Sequence, residues 1–202
     1  MAQNNYDYTL KILVIGDYMV GKTSLIQRFI KGTFLGLNPA TITLDFENKI
    51  LKKDDKLIKV QIWDPCRPYD RFRIIYKSIY RETHGIVITY DITDKNKFID
   101  LRKWIDEILR NAPLGTRIIL VGNKCNLSNE RKVTEEEGKK LAGEFGMLFF
   151  ETSAKTDYNV NFAFETLIED IIKHCKNFDD RKMILKKDDK KNINKKEYRC
   201  YE

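Results

Sequence analysis

Short apolar runs alternate along the chain with longer stretches in which apolar residues recur every three or four positions. Lys11 to Ile15 is a compact run closed by Gly16. After Lys22, the residues Leu25, Ile26, Phe29 and Ile30 share one face at helical spacing, which predicts a helix. Thr41 to Leu51 reads as extended, Lys52 to Lys56 as a polar turn, and Leu57 to Trp63 as an alternating strand. The two extended pieces predict an antiparallel hairpin. Ile86 to Tyr90 is a buried strand, and Phe98, Leu101, Trp104, Ile105, Ile108 and Leu109 form one stripe of a following helix. Arg117 to Val121 and Met147 to Phe150 read as further strands. Between them Thr134, with Glu137 three residues on, is a capping box opening a helix through Leu141, Ala142 and Phe145. Val160, Phe164, Leu167, Ile168, Ile171 and Ile172 mark a last amphipathic helix.

Alternation of this kind predicts an α/β fold: a mostly parallel six-stranded sheet with one antiparallel strand and helices on both faces. Ligands of such sheets bind beyond the carboxyl ends of the strands. After about Lys176 the apolar period gives way to Lys, Asp and Asn. Residues 1–176 are therefore expected to form one domain and 177–202 a flexible charged tail.

Composition narrows the classes. With 202 residues and 42% apolar content there is material for one core, and wholesale disorder is excluded. The longest purely aliphatic runs, such as Ile12 to Ile15, have four residues, far short of the roughly 20 of a membrane-spanning helix. The opening MAQNNYDYTL has neither a basic nor an apolar leader segment, so no signal peptide is expected. Cys66, Cys125, Cys175 and Cys200 are widely spaced, which argues for a reducing, cytoplasmic setting over disulfides or zinc. Of the net charge of +7, +5 lies from Lys173 onward. The basicity belongs to the tail, and no nucleic-acid partner is expected.

Gly16-Asp17-Tyr18-Met19-Val20-Gly21-Lys22-Thr23 fits GxxxxGK[ST], between a buried strand and a helix. Backbone N–H groups and a helix N-terminus there cradle phosphates, Lys22 adds a full charge, and the Thr23 hydroxyl suits Mg²⁺. Kinases and ATPases share this loop, so it does not by itself select a base.

The segments that follow do. Trp63-Asp64 ends the hairpin, Asn123-Lys124-Cys125-Asn126 follows one strand, and Glu151-Thr152-Ser153-Ala154-Lys155 follows another. With TITLDF (41–46), KVQIW (59–63), RFRIIYKSIYR (71–81) and VITYD (87–91), the chain resembles the Ras superfamily of small GTPases, and its Rab branch in particular, over residues 8–175. The resemblance implies a P-loop GTPase domain that binds GTP or GDP with Mg²⁺. It assigns the phosphates to Gly16, Tyr18, Met19, Val20, Gly21, Lys22, Thr23 and Ser24. It assigns the base to Phe34, Asn123, Lys124, Asn126, Ser153, Ala154 and Lys155, with Ala154 offering its N–H to the guanine oxygen. Mg²⁺ falls to Thr23, to Thr41 of switch I and, through water, to Asp64. It further implies a monomer working in vesicle trafficking, with effectors engaging switch I and switch II, an exchange factor, and peripheral association with intracellular membranes. Phe34 also reads as an ordinary core aromatic.

Four departures qualify this. The family follows the Asp64 carboxylate with Thr-Ala-Gly-Gln, whereas here the run is Asp64-Pro65-Cys66-Arg67-Pro68-Tyr69-Asp70-Arg71-Phe72. That run is one residue longer, places Arg67 at the glycine and contains no glutamine to orient water. No catalytic residue is assigned, and the Tyr69 hydroxyl is the nearest candidate. Tyr18 and Met19 replace small residues, and a left-handed conformation at Met19 would cost about 1 kcal/mol or more. Asn126 replaces an aspartate that accepts two hydrogen bonds from guanine. Finally, Cys200 is followed by two residues, which fits neither paired cysteines nor a three-residue prenylation box. The expected function is a trafficking switch with impaired hydrolysis; the alternative is a pseudo-GTPase interaction module that binds nucleotide weakly and does not cycle.

Overall fold

The computed structural model describes residues 6–36, 45–53, 55–65 and 78–175. Its sheet has six strands: β1 (Tyr8–Ile15), β2 (Asp45–Lys53), β3 (Lys56–Asp64), β4 (Gly85–Asp91), β5 (Arg117–Asn123) and β6 (Leu148–Glu151). They lie in the order β2-β3-β1-β4-β5-β6, with β2 antiparallel to β3 and every other pair parallel. Among the described residues five α-helices connect or flank them: α1 (Lys22–Lys31), α2 (Lys95–Ile99), α3 (Leu101–Asn111), α4 (Glu135–Glu144) and α5 (Val160–Cys175). This is the expected architecture.

Successive strand side chains point to opposite faces, so β1 feeds two cores. Leu10, Ile12 and Val14 pack with Leu25, Ile26 and Phe29 of α1 and with Phe164, Leu167, Ile168 and Ile171 of α5. Leu13 and Ile15 face the other way, against Leu101, Ile105 and Ile108 of α3 and Leu141 and Ala142 of α4. Phe29 and Phe164 stack with ring centroids 4.5 Å apart and join the two helices of the first layer. Every residue of β4 is buried, as a central parallel strand covered on both faces must be.

Three local expectations are corrected. The hairpin turn is shorter than Lys52 to Lys56: pairing continues until Lys53 faces Lys56, and Asp55 turns the chain with φ 60°. The stripe from Phe98 to Leu109 is two helices, not one. Asp94 caps α2 by accepting from the Lys97 N–H, and the Asp100 N–H donates back to Asn96 and Phe98 to end it. Leu109 lies outside the buried face, 63% exposed. The strands also run further than their apolar runs, β1 starting at Tyr8 and β5 reaching Asn123. The capping box stands, with the Thr134 hydroxyl accepting from Glu137 N–H and the Glu137 carboxylate accepting from Thr134 N–H. Among the described residues no helix is long and apolar enough to cross a membrane.

Candidate functional site

The carboxyl ends of β1, β3, β4, β5 and β6 converge on the loop between Gly16 and Gly21. Both glycines are dictated by space and conformation. A Cβ on Gly16 (φ 144°) would lie 2.1 Å from the Thr89 carbonyl oxygen, and one on Gly21 (φ 94°) 2.4 Å from Asn123 Nδ2. Met19 adopts the left-handed conformation, φ 61°, with its side chain 58% exposed. The strain foreseen for it is therefore present.

The carbonyls of this loop are held from below. Lys22 Nζ donates to Gly16 O at 3.0 Å and Asp17 O at 2.9 Å. Lys97 Nζ donates to Tyr18 O at 2.9 Å, Lys124 Nζ to Met19 O at 2.8 Å, and Asn123 Nδ2 to Val20 O at 2.9 Å. The C=O and N–H of a trans peptide point in opposite directions. With the Tyr18, Met19 and Val20 oxygens held by Lys97, Lys124 and Asn123, the N–H of each of these peptides points the opposite way, where an anion can take it. Lys124 is fixed in turn by Asp91, 2.7 Å away at the end of β4. Asp17 Oδ1 accepts from Tyr18 N–H at 2.6 Å and closes the loop's outer edge.

Two oxygens suited to a hard cation meet beside the loop. Thr23 Oγ1, in the first turn of α1, donates to Asp64 Oδ2 at 2.5 Å, and Asp64 is buried at the end of β3. The hydroxyl proton goes to the carboxylate and leaves the hydroxyl lone pairs for a metal. Ser24 follows in the same turn. Thr41 and Tyr69 lie outside the described residues, so the third Mg²⁺ candidate and the catalytic candidate have no place in this geometry.

The remaining expected residues gather at the ends of β5 and β6. Asn123 Oδ1 accepts from Ala154 N–H and from the Thr152 hydroxyl, each at 3.4 Å. The Ser153 hydroxyl donates to Asn126 Oδ1 at 2.7 Å. Lys155 is exposed. Phe34 is half-buried and packs against the first core, so it is in part the core aromatic that the sequence also allowed. Two contributors escaped the sequence reading. Arg28, in α1, donates to Ala154 O at 2.8 Å and Lys155 O at 3.2 Å, tying the loop after β6 to α1. Lys97, in α2, donates to Tyr18 O and carries no signal in the sequence. Neither sits in a motif, and only the tertiary fold brings them in. Cys125 is half-buried, and burial pushes its thiol up from the ordinary value, away from reactivity.

The Ras family model matches residues 11–173. The chain is a Rab-like member of the Ras family. The Rab-like sequence is 45% identical to the Ras-related protein RIC1 of Oryza sativa subsp. japonica over 166 residues, covering 82% of each chain. It is 41% identical to the Ras-related protein Rab-13 of Mesocricetus auratus over 199 residues, covering 94% of this chain and 96% of that one. It is 42% identical to the GTP-binding protein ypt2 of Schizosaccharomyces pombe over 173 residues, covering 86% of each. The phosphate loop described above lies within the matched region of this Rab-like small GTPase.

Proposed function

We propose that this Rab-like protein is a guanine-nucleotide-binding switch of membrane trafficking that holds GTP or GDP with Mg²⁺ and hydrolyses GTP slowly. The observation that carries the reading is the joint placement of Lys22, the anchored carbonyls of residues 16 to 20, and the Thr23–Asp64 pair around one cradle. These residues fit the group: Thr89 O and Asn123 Nδ2 leave no room for a Cβ at Gly16 or Gly21, which keeps the loop backbone bare for a close approach, and the metal donors are hard oxygens. The relative named as GTP-binding supports the same base class.

Bound Mg²⁺ would neutralise charge on the terminal phosphates. This chain's residues supply the rest. Lys22 and the amide protons of the loop bind the phosphates, Thr23 and Asp64 position the cation's oxygens, and Asn123 and Arg28 hold the Ser153–Lys155 loop against the base. Thr41 completes switch I, and effectors read switch I and switch II. The chain works as a cytoplasmic monomer, loaded by an exchange factor and peripheral on intracellular membranes, with 1–176 as the working domain and 177–202 as its tether.

Slow hydrolysis follows from the run after Asp64. No glutamine is there to orient water, Arg67 stands at the glycine position, and Pro65 and Pro68 offer no N–H. The strain at Met19 favours the second reading, a pseudo-GTPase that binds nucleotide weakly without cycling. Nucleotide extracted from purified protein and separated by chromatography identifies the base and phosphate number. Single-turnover assays with γ-labelled GTP then decide between the readings. Measurable but slow turnover, little raised by activating proteins, is expected; ordinary rates refute the hydrolysis claim, and no extracted or exchangeable nucleotide refutes the switch.

A further inference from the structure

Tyr18 and Met19 are the two bulky residues of the phosphate loop, and each carbonyl is held by a lysine paired with an aspartate. Lys124, held by Asp91, takes Met19 O. Lys97, 3.3 Å from Asp94, takes Tyr18 O at 2.9 Å. The second arrangement is built into the fold. Asp94 caps α2 through the Lys97 N–H at 3.1 Å, and Phe98 anchors α2 on the buried Tyr90 ring with centroids 4.9 Å apart. The Lys97 side chain is 28% exposed, unlike a freely solvated surface lysine.

The bond bears on a specific alternative conformation. Flipping the Tyr18–Met19 peptide would bring Met19 from φ 61° to a negative φ, which an L-residue with a Cβ prefers. The same flip would turn the Met19 N–H out of the cradle and the Tyr18 carbonyl into it, toward the phosphates. Glycine would feel little of this preference; methionine feels it fully. A hydrogen bond from an ammonium to the outward carbonyl opposes the flip. We propose that Lys97 is a positioning residue that holds the Tyr18–Met19 peptide with the Met19 N–H facing the nucleotide, offsetting the presence of methionine there. The proposal rests on the phosphate-loop reading and adds a determinant to it.

The test is the release rate of a fluorescent GDP analogue from full-length protein with Mg²⁺, in Lys97→Met, Lys97→Arg, Met19→Gly and the Met19→Gly/Lys97→Met pair. Lys22→Ala serves as a control on the site itself. Lys97→Met is expected to speed release about tenfold. Lys97→Arg is expected to restore the parent rate, and in the Met19→Gly background the Lys97→Met effect should shrink to about threefold or less, since the preference for the flip has gone. An equal effect in both backgrounds overturns the proposal. So does failure of arginine to rescue, or a lowered melting temperature of nucleotide-free protein with release unchanged. If Lys22→Ala cripples binding while Lys97→Met matches the parent, only the Lys97 proposal falls. If Lys22→Ala also matches the parent, the phosphate-loop reading falls with it.

Discussion

Asn126 has one acceptor oxygen, and in the structure it accepts the Ser153 hydroxyl at 2.7 Å. An aspartate there could give one oxygen to Ser153 and turn the other to a base; asparagine has only its NH₂ group left, a donor. Guanine presents N1–H and a 2-amino group on that edge, so donor would meet donor. The mismatch is worth about 1–3 kcal/mol. Xanthine carries a carbonyl in place of the amino group and suits Asn126 better. Competition binding is therefore expected to show a reduced preference for GDP over XDP, and Asn126→Asp to recover guanine affinity by one to two decades, on the order of that energy. Unchanged GDP affinity in the Asp variant would show that this side chain does not face the base. His84 gives a prediction of another kind. Its Nδ1 accepts from Lys11 N–H at 3.0 Å, so the fold uses the neutral ring. Burial first, then the nearby Lys11 charge, lower its pKa below the ordinary 6.5, with Glu82 opposing. The unfolded chain thus takes up the proton before the folded one does. The His84 contribution is complete above about pH 6.5 and declines as the pH falls toward the lowered folded value. Denaturant titrations from pH 7 to 5 should show stability falling in the parent and a flatter profile in His84→Gln; parallel profiles would contradict it.

At the scale of elements, Thr134→Ala removes a reciprocal cap from α4 without touching the site, so about 1 kcal/mol of stability should be lost with nucleotide release unchanged. Chemical denaturation beside release kinetics checks both halves. This cap was legible because its pieces are three residues apart, and the phosphate loop was legible for the same reason: spacing within one segment encodes it. What escaped depends on partners distant in sequence. Tyr8 to Leu10 join β1 because Ile58 to Val60 pair with them, which local apolarity does not reveal. The break between α2 and α3 lies in the Asp100 backbone bonds, invisible in a periodicity that runs through it. Leu109 was drawn into the stripe beside Ile108, although neighbours on a helix differ by about 100° and only one of them reaches the core. Arg28 is 126 residues from the carbonyl it supports, and nothing in its own segment marks it.

Across the whole molecule, the sheet order puts β1 at the centre and brings β3 beside it, so Asp64 reaches the first turn of α1. That contact joins the start of α1 to the end of the β2–β3 hairpin, and under the proposed reading the cation would be the common link. Thr23 gives its proton to Asp64, so under the proposed reading its lone pairs are free for a metal, and a Mg²⁺ there would neutralise the buried carboxylate and the phosphate charge together. If nucleotide and Mg²⁺ bind here as proposed, removing the cation would leave phosphate charge beside the buried Asp64 carboxylate, where like charges repel more strongly than in water. Chelation by EDTA is therefore expected to speed GDP release by at least about tenfold in the parent, since a lost ion interaction of even a few kcal/mol exceeds one decade. In Asp64→Ala the cation loses the buried carboxylate that attracts it, so release should already be faster than in the parent and EDTA should add less. Measuring both proteins with and without chelator separates this coupling from general loosening of the fold: a variant merely destabilised would still respond to EDTA. Parent release indifferent to EDTA would show that Thr23 and Asp64, though in contact, do not form the metal's seat.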